Sequence, residues 1–160
     1  MSKIIITRQE LLELWHGLPT LANLSGFKLG YAVARTKARL RPEVEALEEA
    51  LKPDAAFQEY EEKRLALCQK FAQKDGQENP IIQGNQFVFG ENREAFDAEM
   101  VPLTQEYGHA IKDRQQQIED YSASLKENIT VEVHHVAEAD IPGDLTVQQM
   151  GILYPLLKAE

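Results

Sequence analysis

The sequence predicts a predominantly helical α+β fold: an elongated helical bundle that contains an αα-hairpin and carries a small antiparallel sheet. Three long segments repeat apolar residues every three or four positions, which is the period of one helix face. Two shorter segments, one near each end of the chain, are β-branched or alternate in hydrophobicity as strands do. Because 160 residues is the usual size of one domain, we expect a single domain over residues 1–160.

The three helical segments are residues 27–51, 55–73 and 93–126. Pro42 lies inside the first and cannot donate a backbone hydrogen bond, so we expect a kink or a break there. The short connection at residues 52–54 predicts an αα-hairpin between the first two helices. Nine side chains on the apolar faces are expected to be mostly buried: Leu40, Val44, Leu47, Phe57, Leu67, Phe71, Met100, Leu103 and Ile118.

The small sheet is predicted from residues 3–6, 80–89 and 129–136. Residues 129–136 begin with alternating apolar and polar side chains, and residues 3–6 are their expected antiparallel partner. Gly84-Asn85 suits the turn of a tight hairpin within residues 80–89.

Helix starts are marked by two capping boxes, Thr7 with Glu10 and Thr146 with Gln149. In each box the Thr side chain accepts from the backbone three residues later, and the acidic or amide side chain there bonds back to the cap. Two further N-caps are expected, at Asp54 and Asn92.

The composition bounds the function more than it defines it. The formal net charge is −9, and the apolar runs are far shorter than a membrane span requires. We therefore expect no membrane partner. The one cysteine, Cys68, lies in an apolar helix stripe, so a buried structural thiol is favoured over a nucleophile.

Charge is strongly segregated along the first two helices. Residues 27–41 carry five basic side chains and no acid, whereas residues 43–62 carry eight acids and Lys52. The basic stretch could bind a partner protein or nucleic acid, or be neutralised by acids at residues 54–62 of its own hairpin, which we favour. The negative net charge disfavours nucleic acid. The candidate partner-binding residues are Lys28, Arg35, Lys37, Arg39 and Arg41.

Candidate catalytic and metal-binding groups are sparse. His134 and His135 are adjacent on a predicted strand, so they point to opposite faces and cannot chelate one ion. Glu132 shares a face with His134, but no spacing motif supplies the remaining ligands. The chain also lacks the glycine-rich nucleotide loops and the zinc-protease motif. The sequence therefore predicts no enzyme, no metal site and no cofactor.

Several short motifs follow one another along the chain. They are Gly26-Phe27-Lys28-Leu29-Gly30-Tyr31-Ala32, then Glu59-Tyr60, Arg64, Leu67-Cys68 and Ala72, then Pro80-Ile81 and Gln86-Phe87, and finally Val131-Glu132-Val133, Ile141-Pro142, Leu145-Thr146 and Met150. In this order the chain resembles a group of small proteins of unknown function encoded by tailed phages and prophages. The resemblance implies a phage or prophage origin and a location in the host bacterial cytoplasm. It implies no catalytic residue.

These features predict a non-enzymatic protein that binds a host factor or a phage component through its helical surface. The alternative is nucleic-acid engagement, either directly through the basic residues 27–41 or through DNA mimicry by the acidic surface. The predicted third helix is longer than a compact domain of 160 residues requires, so we also expect a homo-oligomer, most simply a two-fold dimer. Its candidate seam is Ile118, Tyr121 and Leu125.

Overall fold

The computed structural model describes residues 2–157, and helices dominate them. The chain divides into two compact units. The first unit joins the residues up to 51 to those from 120 onward, and the second unit is Lys52–Glu119. A predominantly helical α+β fold with antiparallel strands is confirmed.

The first unit contains a two-stranded antiparallel sheet made from β1 (Ser2–Thr7) and β4 (Asn128–Val133). The register runs from Ser2 opposite Val133 to Thr7 opposite Asn128, so the predicted antiparallel pairing of residues 3–6 with residues 129–136 is confirmed, except that the strand ends at Val133. Val131 and Val133 face the core, as their alternation requires.

Helices α1 (Arg8–Gly17) and α2 (Phe27–Leu51) contact this sheet and each other, and α6 (Val147–Leu153) packs against α1. Thr7 caps α1 and Thr146 caps α6, and both capping boxes are complete. The core of the unit is formed by these buried side chains: Leu11, Leu14, Leu18, Leu21, Leu29, Ala32, Leu40, Val44, Leu47, Val131, Val133, Val136, Leu153 and Leu156.

Helix α2 runs unbroken for 25 residues, so the break considered at Pro42 does not occur. Pro42 is exposed, where the missing N–H leaves no buried group unsatisfied. The apolar stripe of α2 is interrupted in sequence at Thr36, yet Thr36 is fully buried. Its Oγ1 accepts the backbone N–H of His134 at 3.0 Å. This hydrogen bond links α2 to the chain just beyond β4.

The second unit is built on α3 (Ala55–Phe71) packed against α4 (Arg93–Glu106). Asp54 caps α3 through Phe57 N, as predicted. Residues 52–54 join α2 to α3 by the short connection that the sequence indicated. Asn92 precedes α4 but does not cap it with its side chain, which instead donates to the Phe71 carbonyl.

A small hairpin connects these two helices: β2 (Ile82–Gln83) pairs antiparallel with β3 (Gln86–Phe87). Gly84 has a φ of +59°, which the tight turn needs and which glycine adopts without strain. The hairpin is a sheet separate from β1 and β4. The expectation that residues 3–6, 80–89 and 129–136 contribute to one sheet is therefore wrong, because the hairpin belongs to the second unit and the other strands to the first.

The predicted third helix over residues 93–126 is two helices, α4 and α5 (Gly108–Ser124). Tyr107 separates them with φ −100° and ψ 18°. Pro102 removes one hydrogen bond from α4, and Gly108 is a weak helix former, so the helix is weakest here.

The Tyr107 hydroxyl, at this break, forms hydrogen bonds with one acidic and one basic side chain of α3. It donates to Glu59 Oε1 at 2.6 Å and accepts from Lys63 Nζ at 2.5 Å. The pKa of the Glu59 carboxyl is lowered below its usual range. The larger cause is the hydrogen bond from Tyr107, and the smaller is the interaction with Lys63. The same hydroxyl, followed by Glu59, raises the pKa of Lys63. The cluster therefore fixes the end of α4 against α3.

The burial expectations hold in part. Of the nine side chains expected to be mostly buried, four are buried, namely Leu40, Val44, Leu47 and Leu103. Four are half-buried, namely Phe57, Leu67, Phe71 and Met100. Ile118 is 40% exposed, so its predicted burial is wrong. After Ile111 the α5 sequence becomes mostly polar, and Ile118 belongs to none of the core clusters of the described residues.

Tyr121 and Leu125, proposed as an oligomer seam with Ile118, are half-buried in the monomer. Tyr121 packs against the core of the first unit. Its apolar surface is thus partly covered by its own chain, and the seam of Ile118, Tyr121 and Leu125 stays a prediction. Homo-oligomer formation itself stays a prediction.

Candidate interaction surface

The five predicted partner-binding residues lie on two flanks of α2 rather than on one. An α-helix turns by about 100° per residue. Lys28, Arg35 and Arg39 therefore fall on one side of the buried face, and Lys37 and Arg41 fall on the opposite side. The sequence pattern of the two basic strips is correct, but the core separates them.

Two exposed aromatic rings accompany the first flank. Phe27 is 85% exposed and Tyr31 is 46% exposed, and their rings stack at 6.0 Å with an interplanar angle of 22°. Arg35 follows at the same four-residue spacing. The Tyr31 ring also meets the His134 ring edge-on at 5.2 Å. We call Phe27, Lys28, Tyr31, Arg35 and Arg39 the aromatic–basic surface.

Acids of the first unit neutralise most of the charge on this surface. Lys28 Nζ donates to both carboxylate oxygens of Asp140, at 2.9 and 3.1 Å. Arg39 Nε lies 3.7 Å from Glu132 Oε2. Arg35 has no ion-pair partner in the part of the chain that the structure describes. The surface thus carries one uncompensated positive charge, and its acids come from residues 132 and 140 rather than from residues 54–62.

The opposite flank of α2 is less accessible to a partner. Lys37 is half-buried, and its Nζ lies 5.3 Å from the centroid of the Trp15 ring, within the range of a cation–π interaction. Trp15 packs against the core of the first unit. Arg41 is exposed and makes no ion pair with the residues between 2 and 157. Only Arg41 is thus freely available on this flank.

His134 and His135 belong to the packing of the first unit. The His134 backbone is bonded to Thr36, and its Nδ1 is buried without a hydrogen-bond partner among the described residues. His135 Nδ1 lies 3.2 Å from the Leu156 carbonyl oxygen, so the two groups hydrogen-bond when Nδ1 carries the proton. Within residues 2–157, no three His, Cys, Asp or Glu side chains lie where they could hold one metal ion. Cys68 is buried, with 3% exposure, as expected of a structural thiol.

A second exposed apolar surface lies on α6 and the turn that follows it. Val147 is 92% exposed, Met150 is 42% exposed and Tyr154 is 75% exposed. Their spacing of three and four residues places them on one side of the helix. They border a shallow cavity of about 480 Å³, whose lining includes Leu145.

Sequence analysis found the basic residues of α2 but not the aromatic ones beside them. Phe27 and Tyr31 are four residues apart and lie off the stripe that contains Leu29 and Val33. That offset was the available signal. Phe27 stands at the first position of the predicted helix, where the apolar stripe has not yet defined which side chains are exposed. Similarly, Val147 directly follows an N-cap, where side chains often remain in solvent.

No protein-family model matches the chain, and no curated protein and no solved structure matches it either. Among the helices of residues 2–157, none is both long enough and apolar enough to span a lipid bilayer.

Proposed function

We propose that this is a non-enzymatic protein encoded by a phage or prophage, which binds a host factor or a phage component through the aromatic–basic surface of α2. One observation carries the proposal: the Phe27 and Tyr31 rings are stacked in solvent on the face that also presents Arg35. Tyrosine and arginine are enriched among the residues that contribute most to protein–protein binding energy.

The energetic argument is one of apolar burial. Burying a phenylalanine side chain that is otherwise in water stabilises a complex by about 1.5–3 kcal/mol. Because Phe27 and Tyr31 already hold each other, little side-chain entropy remains to be lost on binding. The complementary partner is therefore a protein with an apolar pocket for Phe27 and a carboxylate for Arg35.

Direct nucleic-acid binding is the second candidate, because exposed aromatic rings beside cations also stack on unpaired bases. The ion pairs of Lys28 and Arg39 weaken this alternative. Each phosphate neutralised contributes about −0.7 to −0.9 to the slope of log K against log salt. Because Arg35 alone is unpaired on this surface, that slope would be close to the value for one phosphate contact. DNA mimicry by the acidic surface remains part of this alternative, and predicts competition with DNA for a third protein.

The test is affinity capture from host cells, followed by calorimetry with the purified partner. We expect the variants Phe27→Ser and Arg35→Glu each to weaken binding at least about tenfold, which corresponds to about 1.4 kcal/mol. Ile82→Ser, a change of another exposed apolar residue, which lies in the hairpin, is the matched control and should leave binding unchanged. A partner whose affinity survives both α2 changes but is lost in Tyr154→Ser would move the site to α6 and contradict the proposal.

A mobility-shift titration with single-stranded and double-stranded DNA separates the two candidates. Protein binding through α2 predicts no shift at physiological salt. A shift that disappears in Phe27→Ser and weakens with salt, by about one phosphate contact, would establish the nucleic-acid alternative instead.

A further inference from the structure

The second unit contains a groove in which two guanidinium groups adjoin an aromatic wall. The groove has a volume of about 390 Å³ and lies where α3, the hairpin and the start of α4 meet. It is lined by Arg64 and Cys68 of α3 and by Gln86 of the hairpin. Phe89, which precedes α4, and Arg93, the first residue of α4, complete the lining named here. This volume lies within the range of small-molecule sites.

Both arginines are held in place by neighbouring acids and retain unused donors. Arg64 Nε and Nη2 bond to the two oxygens of Glu61, at 2.8 and 2.9 Å, and Nη1 lies 3.9 Å from Cys68 Sγ. Arg93 Nε lies 3.1 and 3.2 Å from the oxygens of Asp97. The terminal nitrogens of Arg93 make no hydrogen bond or ion pair within residues 2–157.

The apolar lining of the groove includes the partly exposed side chains of Leu65 and Phe87 and the buried rings of Phe89 and Phe96. The Phe89 and Phe96 rings stack at 4.1 Å with an interplanar angle of 16°. The Arg93 guanidinium carbon lies 5.6 Å from the Phe89 ring centroid, so Phe89 already has a ring and a cation as neighbours. The apolar surface left to a ligand is therefore that of Leu65 and Phe87. Both Phe89 and Phe96 are buried, which fixes the wall whether or not a ligand is present.

The charge balance of the groove selects the kind of anion. Two guanidiniums and two partner carboxylates sum to zero, and the whole unit carries 8 basic against 13 acidic side chains, a net charge of −5. A monoanion can take the free donors of the arginines without a large repulsion. A dianion such as a phosphate monoester is repelled about twice as strongly as a monoanion by this net negative surrounding.

From this arrangement we infer that the groove is a binding site for a small aromatic carboxylate, with the ring against Leu65 and Phe87 and the carboxylate bonded to Arg93 and Arg64. A guanidinium donates two parallel hydrogen bonds to a carboxylate, which orients the ligand as well as attracting it. The site uses no residue of the aromatic–basic surface, so it stands or falls independently of the proposed protein partner.

Phenylacetate is the probe, and titration is followed by NMR of the arginine Nε–H groups and the backbone amides. We expect the resonances of Arg64, Arg93 and Gln86 to shift with a dissociation constant on the order of 1 mM, as is usual for a ligand of this size. Phenylacetamide, which keeps the ring and removes the charge, should bind at least about tenfold more weakly.

Arg93→Gln should weaken phenylacetate binding at least about tenfold, because it removes donors and charge from the groove. Lys70→Gln is the matched control, since Lys70 is an exposed cation of α3, the helix that carries Arg64, and does not line the groove. It should change the affinity by less than about twofold. The thermal unfolding of each variant is measured alongside, and Arg64→Gln provides an independent second variant.

Three results would overturn the inference. One is equal binding of phenylacetate and phenylacetamide, which would remove the role of the carboxylate. Another is unchanged affinity in both arginine variants with their fold intact. The third is a set of perturbed resonances outside the groove. Tighter binding of phenyl phosphate than of phenylacetate would overturn the assignment to a monoanion.

Discussion

Replacing Gly17 with alanine should destabilise the protein, although the same change in a helix normally stabilises it. Gly17 is the last residue of α1 and has an ordinary right-handed helical backbone, with φ −78° and ψ −34°. Its α-carbon faces Ile152 of α6. An added Cβ would lie 2.7 Å from Ile152 Cγ1, 2.9 Å from Cδ1 and 3.1 Å from Cγ2.

The magnitude follows from two opposed effects. Alanine in place of glycine gains about 0.4–1 kcal/mol, because the unfolded chain loses conformational freedom. Carbon atoms prefer separations of about 3.5–4.0 Å, so three contacts at Ile152 are too short. Ile152 is β-branched and stiff at χ1 in a helix, so it cannot rotate away cheaply. Overpacking of this kind costs about 1–3 kcal/mol, and we expect a net destabilisation of about 1–2 kcal/mol.

The assay is urea unfolding followed by circular dichroism, with Gly30→Ala as the matched control. Gly30 lies in α2, and nothing comes within 4 Å of the Cβ that the change would add. That variant should gain up to about 1 kcal/mol, so the two alanine substitutions are expected to shift the unfolding midpoint in opposite directions. Adding Ile152→Ala to Gly17→Ala should recover part of the loss relative to additivity.

Equal shifts for the two glycine variants would refute the reasoning, because they would show that α1 and α6 do not approach closely at this point. An additive double variant would contradict it as well. In that case the cost at Gly17 would come from the end of α1 itself and not from contact with Ile152.

Three further perturbations test the hydrogen bonds and packing of the first unit. Thr36→Val keeps the shape but leaves the His134 N–H without its acceptor, so we expect a loss of about 1–3 kcal/mol in chemical unfolding, against no loss if solvent replaces the bond. The pKa of the Glu10 carboxyl is lowered, first by the backbone N–H of Thr7 and then by its hydroxyl, so the ionised form stabilises the fold. That contribution is fully present at a pH above the ordinary pKa of 4.5 and is lost as the pH falls through the lowered pKa. The stability difference between wild type and Glu10→Gln should therefore shrink on acidification. A difference that does not depend on pH would contradict the assignment. Leu40→Ala empties a fully buried site and should cost about 2–5 kcal/mol in the same unfolding assay, whereas a loss below about 1 kcal/mol would mean that Leu40 is not in the core.

Much of the secondary structure could be predicted from the sequence because it depends on near neighbours. A capping box needs only residues three apart, and the boxes at Thr7 and Thr146 are both complete. The turn at Gly84 needs only one residue that tolerates positive φ. The stripe of α2 needs only the helical period, and it correctly gave Leu40 and Val44 as core residues.

The candidate site could be predicted less well, because exposure is a property of the whole fold. Periodicity separated the basic strips of α2 but could not say that the buried face lies between them. It also could not say that Asp140 and Glu132, distant in sequence, neutralise Lys28 and Arg39. An ion pair depends on where two segments of the chain meet, and no local pattern encodes that.

The sequence by itself determined the helical class, the pairing of the chain ends in one small sheet and most helix starts. Tertiary structure alone decided which polar positions are buried and which apolar ones are not. Thr36 interrupts an apolar stripe and still lies in the core, because the unpaired backbone N–H at residue 134 needs an acceptor there. Phe27 is strongly apolar and still lies in solvent, because the core-facing side of α2 points away from it. Local physics selects the element, whereas the partners that long-range folding brings to each face decide what that face can bind.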